Sequence, residues 1–144
     1  MPASPTKLTA ADVMTAAPRT CSTYSTVLEA TMIFRDEDCG AVPVLDDGKP
    51  VGLLTDRDVA LALVENGDNL SRMAVADVMT AGVVSVAPTL DIDSIANQFA
   101  DKNVRRLLVI DGDQLVGIIG WADLVGKISD LRLGQVVSEV VDES

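Results

Sequence analysis

One six-residue string occurs twice in this chain. Ala11-Asp12-Val13-Met14-Thr15-Ala16 recurs letter for letter as Ala76-Asp77-Val78-Met79-Thr80-Ala81, 65 positions later. The same offset, without a gap, superimposes Phe34 on Phe99, Asp36 on Asp101, Asp46 on Asp111, Val51-Gly52 on Val116-Gly117 and Asp58 on Asp123. Between these identities the pairs stay alike in kind: Val27 with Ile92, Val44 with Val109, Leu53-Leu54 with Ile118-Ile119. A fixed-period repeat constrains the fold before any local signal does, because a small unit completes its core by packing on its neighbour. Half of a 144-residue chain would be marginal alone, whereas the full length, 48% hydrophobic, can bury a core. The two copies are therefore expected to fold together as one domain, with any site between them present in two versions.

Aromatic residues make up 3% of the chain, so the core must be built from Val, Leu, Ile and Ala, as in close-packed α/β layers. Asp and Glu number 22 against 11 Lys and Arg. Nucleic acid and anionic membrane surfaces need a basic footprint, so neither is expected as a partner. The chain has no histidine, which excludes His-based acid/base catalysis, Ser-His or Cys-His nucleophile pairs and His-ligated metals. Cys21 and Cys39 lack CxxC spacing and read as small reduced thiols, which points to the cytoplasm. The N-terminus has no signal-peptide core, and no apolar run approaches bilayer length.

Residues 1–8, rich in Pro, Ser and Thr, read as a flexible lead-in. Thr9 caps a short helix with Asp12 three residues on, Pro18 ends it, and Arg19-Thr20-Cys21 is expected as a short strand. Val27, Ala30, Thr31 and Phe34 follow helical spacing, as do Ile92, Ile95, Ala96 and Phe99 in the second copy. Ala41-Val42-Pro43-Val44-Leu45 and Arg106-Leu107-Leu108-Val109-Ile110 are strand-length apolar runs, each followed by a turn and a third strand containing Gly52 or Gly117. Helices are expected over Asp56 to Glu65 and Trp121 to Ser129. Each unit is then strand, helix, strand, strand, helix, with a linker over 68–75. The acidic tail 131–144, with Val136, Val137, Val140 and Val141, reads equally as an amphipathic helix or a frayed end.

Gly52-Leu53-Leu54-Thr55-Asp56-Arg57-Asp58 lies where a strand runs into a helix. Gly52, without a Cβ, lets a flat ligand or a neighbouring backbone approach. Thr55 falls at the helix start, where free N–H groups and the dipole favour phosphate. Asp58 offers acceptors suited to a pair of ribose hydroxyls, and Arg57 a charge-assisted phosphate contact. Thr55-x-x-Asp58 is also what an ordinary capped helix start looks like, and taken alone it is more often that.

The repeat, the Asp-Val-Met-Thr openings and the Gly-aliphatic-aliphatic-Thr-x-x-Asp junction together resemble a tandem pair of CBS domains over about residues 11 to 130. The resemblance implies an α/β (α+β) fold of two βαββα repeats, 9–67 and 76–130, packed as a pseudo-twofold module that assembles into a homodimer. It implies a regulatory sensor, not an enzyme, that binds AMP, ADP or ATP between the repeats, with NAD or S-adenosylmethionine as further candidates. Carried over by residue, Thr55 would contact phosphate, Asp58 would hold ribose, and Thr20, Ala41, Val42 and Pro43 would line the adenine pocket. In the second copy Asp123 keeps the ribose role, with Ser85 matching Thr20 and Leu107-Leu108 matching Val42-Pro43. Gly120 stands where Thr55 does and Trp121 where Asp56 does, so the first site is expected to be competent and the second weakened or altered. Trp121 then either stacks on a ligand or fills a core or dimer interface. Arg105 and Arg106 either reach the phosphate held by the first repeat or stand as solvated edge charges. A structural scaffold with vestigial clefts is the competing reading, and the downstream partner is not encoded in these motifs.

Overall fold

Each repeat's opening peptide leaves its own repeat and completes the other one. The computed structural model describes residues 8–67 and 69–129; the lead-in at 1–7 and the tail from 130 lie outside the described residues. In chain order the elements are α1 (Ala10–Val13), β1 (Thr15–Ala16), β2 (Cys21–Ser22), α2 (Val27–Glu37), β3 (Ala41–Asp46), β4 (Lys49–Thr55) and α3 (Asp56–Asn66). The second half repeats them as β5 (Thr80–Ala81), β6 (Ser85–Val86), α4 (Ile92–Lys102), β7 (Arg106–Asp111) and β8 (Gln114–Gly120), with α5 over residues 121–129. The described strands form two sheets, ordered β1-β8-β7-β6 and β2-β3-β4-β5. This is the expected α/β architecture.

The exchange follows from β1 pairing antiparallel with β8 (Thr15 opposite Ile118, Ala16 opposite Gly117) and β5 with β4 (Thr80 opposite Leu53, Ala81 opposite Gly52). Ala10 and Val13 lie in a core with Ile95, Phe99, Leu107, Val109, Ile119 and Leu124, all from the second repeat. Val75 enters the first repeat's core with Ala30, Ile33, Val42, Val44 and Leu54. Backbone bonds tie down the approach to each opening: Ile92 N–H donates to the Leu8 carbonyl at 3.0 Å, and Val27 N–H to the Met73 carbonyl at 2.9 Å. The stretch expected as a linker thus ends inside the first repeat's structure. Gly52 and Gly117 serve this pairing. A Cβ on Gly52 would lie 2.5 Å from the Thr80 carbonyl oxygen, and one on Gly117 would strike the Met14 side chain. Of the two approaches open to Gly52, the neighbouring backbone is the one that occurs.

Local chemistry explains the remaining elements. Thr26 and Asp91 cap α2 and α4 by accepting from Glu29 N–H and Ser94 N–H. Both helices stop in left-handed residues, Asp38 and Asn103, types that tolerate positive φ. Asp47 and Gly48, both at positive φ, form the two-residue turn between β3 and β4. The strand expected over Arg19-Thr20-Cys21 falls at Cys21–Ser22 as β2, where it pairs in parallel with Val44 and Leu45 of β3. Along β3 and β7 the alternation of side chains sends Val42, Val44, Leu107 and Val109 into the helix-side cores. It leaves the buried Pro43 and Leu108 for the face where β4 and β8 bring the sheets together.

Candidate functional site

The two strand-to-helix junctions open into one cleft of about 1150 Å³ between the repeats. Repeat 1 contributes Gly40 and Ala41 at the start of β3, and Thr55, Asp56 and Arg57 at the start of α3. Repeat 2 contributes Arg105, Arg106, Gly120, Trp121, Ala122 and Asp123. The segment Thr15 to Arg19, which leads out of β1, and the end of α2 close the side. The junctions are stitched alike: Asp56 N–H donates to the Gly40 carbonyl at 3.0 Å, and Trp121 N–H to the Arg105 carbonyl at 2.8 Å. A cleft of this size exceeds what a nucleotide needs.

The junctions differ in how their helix starts are satisfied. At α3 the Thr55 hydroxyl accepts from Asp58 N–H at 3.1 Å, and the Asp58 carboxylate accepts from Thr55 N–H at 3.0 Å. Arg57 N–H donates to the Asp56 carboxylate at 2.8 Å. The Thr80 hydroxyl from the exchanged strand also donates to Asp58, at 3.1 and 3.2 Å to its two oxygens. The capping role of Thr55 and Asp58 is therefore realised, and Asp58 is held by the protein itself. At α5 Gly120 supplies no cap. Among the described residues no side chain caps this helix start, and the Asp123 carboxylate has no hydrogen-bond partner. A helix start without a side-chain cap favours an anion.

Of the residues singled out from sequence, the cleft gathers Ala41, Thr55, Arg57, Arg105, Arg106 and Asp123. It does not gather Thr20, Val42, Pro43, Asp58, Ser85 or Leu107. Val42 and Leu107 are fully buried in the two helix-side cores, Pro43 is buried between the sheets, and Ser85 is exposed on β6. Sequence reasoning missed Gly40, which lies beside the α3 start just before β3, and Thr15 with Ala16, Ala17 and Pro18, which reach the cleft through the strand exchange. Trp121 lines the cleft, 46% exposed, while its ring meets Phe99 edge-on with centroids 5.4 Å apart. It belongs to both of the settings the sequence offered, cleft wall and core margin. Cys39 also lines the cleft, but burial raises its thiol pKa, so it stays protonated near neutral pH. No group of three or more His, Cys, Asp or Glu among the described residues could hold a metal ion.

The family model for the CBS domain matches residues 10–65 and again residues 75–130. The CBS domain-containing protein YhcV of Bacillus subtilis is 32% identical over 130 residues, 90% of this chain and 92% of its own. Hypoxic response protein 1 of Mycobacterium tuberculosis is 28% identical over 133 residues, 92% of this chain and 93% of its own. Among solved structures, the CBS domain pair of protein MJ0100 in complex with 5′-methylthioadenosine and S-adenosyl-L-methionine matches with a TM-score of 0.74 at 26% identity. The match covers 90% of this chain and 98% of that one.

Proposed function

Because the chain belongs to the CBS domain family, whose pairs are regulatory modules that often bind adenosine ligands, we propose that it is a sensor of an adenosine nucleotide bound in the cleft between its repeats. The observation that carries this reading is the convergence of both helix starts and four arginines on one cleft. The anion contacts on this reading are Thr55 with Arg57 from repeat 1, the junction expected to be competent, together with the uncapped start of α5 from repeat 2. The ribose role falls to Asp123, which faces the cleft unpartnered among the described residues, whereas Asp58 already accepts from Thr55 and Thr80. This moves the weight that the sequence put on Asp58 to its counterpart. AMP, ADP and ATP fit this chemistry, with NAD and S-adenosylmethionine as alternatives. A ligand that touches both repeats biases their relative packing to the extent that it binds one arrangement better.

A thermal-shift series with AMP, ADP, ATP, NAD and S-adenosylmethionine tests the reading. A ligand at about a hundred times its dissociation constant should stabilise the protein by roughly 2.7 kcal/mol. Asp123→Ala should remove most of that shift. Asp58→Ala should lower the ligand-free stability by about 1 kcal/mol through loss of the cap, yet keep the ligand shift. A melting temperature that no ligand moves would leave the scaffold reading, which the Asp58–Thr80 bond favours by occupying the ribose acceptor of repeat 1.

We assign the module to the cytoplasm as a homodimer. The helix faces of repeat 1 expose Leu28, Met32, Leu61 and Val64, where repeat 2 has Asp93, Asn97, Gly126 and Ser129. A second copy seated on the repeat 1 face would bury them in a self-complementary contact. Leu61→Lys with Met32→Glu should convert dimer to monomer in sedimentation velocity; a wild-type monomer at the same concentration refutes the assignment. No helix among the described residues is long and apolar enough to cross a membrane.

A further inference from the structure

Four of the chain's seven arginines, Arg19, Arg57, Arg105 and Arg106, line the one cleft, and no described lysine does. In a protein of net charge −11, guanidinium groups are attracted to the surplus carboxylates. Arg19 is so paired, 3.9 Å from Asp36 and 3.7 Å from Glu37. Among the described residues Arg57, Arg105 and Arg106 form no ion pair, although Asp38, Asp56 and Asp123 line the same cleft. Arg106 reaches from repeat 2 to repeat 1: a Cβ on Gly40 would lie 2.9 Å from its Nη2 and 3.3 Å from an Asp56 carboxylate oxygen. Four arginines against Glu37, Asp38, Asp56 and Asp123 leave the cleft lining formally neutral in a chain of net charge −11, with three guanidinium groups held out of ion pairs. The guanidinium fork matches phosphate oxygens two at a time, and three such groups set on two repeats can take up the oxygens of more than one phosphate.

We propose that the cleft selects the polyphosphate end of its ligand, an adenosine di- or triphosphate over the monophosphate and over sulfonium or thioether adenosines. Arg57, Arg105 and Arg106 are the specificity-determining residues. The inference rests on the adenosine reading above and adds the charge class of the ligand. A sulfonium brings a positive charge against three others, and a thioether brings none to satisfy them. Arg106, which spans the repeats, makes phosphate binding sensitive to how the repeats sit.

Titration calorimetry with ATP, ADP, AMP, S-adenosylmethionine, 5′-methylthioadenosine and GTP tests it. ATP and ADP should bind at least about tenfold tighter than AMP, the affinity of one charge-assisted contact, with S-adenosylmethionine weakest. Arg105→Ala and Arg106→Ala should each weaken ATP about tenfold while AMP changes less. Arg57→Ala, on an exposed helical turn, repeats the test where folding is not at stake. Gly40→Ala keeps every charge but pushes the Arg106 head group aside, and should weaken ATP with an unchanged circular dichroism spectrum. AMP or S-adenosylmethionine bound as tightly as ATP overturns the phosphate inference and leaves the adenosine reading. GTP bound as tightly as ATP overturns the adenosine reading and leaves phosphate selection. Binding of none overturns both.

Discussion

Leu107→Ala is expected to destabilise the protein by roughly 3 kcal/mol, a fall of about 10 °C in melting temperature, without changing the ligand-induced shift of the protein that remains folded. The residue matched a pocket position in the sequence, but its side chain is fully buried with Phe99, Val109, Ile119 and Leu124. Strand alternation explains the difference. Arg106 faces the cleft, so its neighbour on β7 must face the helices. A leucine cut back to alanine there leaves a cavity that close-packed neighbours fill only in part. A pocket wall would behave in the opposite way, losing ligand affinity at little cost in stability. Urea denaturation with and without nucleotide separates the two outcomes. Val42→Ala should repeat the pattern in the first repeat with a smaller loss, since fewer atoms are removed.

Gly52→Ala is expected to cost up to about 3 kcal/mol, the upper end of what overpacking a close contact does. The new methyl would sit 2.5 Å from the Thr80 carbonyl oxygen, a backbone atom that can retreat only if β5 leaves β4. Gly117→Ala should cost less, because the atoms it meets belong to the flexible Met14 side chain, which can rotate away. The ranking, Gly52 worse than Gly117, is the sharper part of the expectation and is read directly from denaturation midpoints. Equal stability of Gly52→Ala and the parent protein would mean that the opening peptide does not pair across the repeats.

The repeat units, their helices, the turns and the paired apolar strands were legible because each rests on local chemistry. Caps at Thr26 and Thr55, the Asp47-Gly48 turn and the 3.6-residue spacing of Val27, Ala30 and Phe34 act over a few residues, and the second copy doubles every signal. The candidate site was legible at the two junctions, where a strand meets a helix start. The strand exchange was not. The identical Ala-Asp-Val-Met-Thr-Ala peptides look the same whether each packs on its own repeat or on the other, since both repeats offer the same glycine and the same apolar strand. For the same reason Thr15 carried no sign of the cleft it lines.

By itself the sequence determined the family, the α/β units, the pseudo-symmetry and the residue types at the junctions, because periodicity and capping are written along the chain. Tertiary structure alone decided which carboxylate is open. Asp58 and Asp123 are equivalent in the repeat, and Thr55 against Gly120 favoured the first. The exchanged Thr80 engages Asp58, whereas no described residue hydrogen-bonds Asp123 and the α5 start beside it is uncapped. Partners that lie 22 residues away along the chain, or on the other repeat, are chosen by packing, and packing is set only once both sheets are in place.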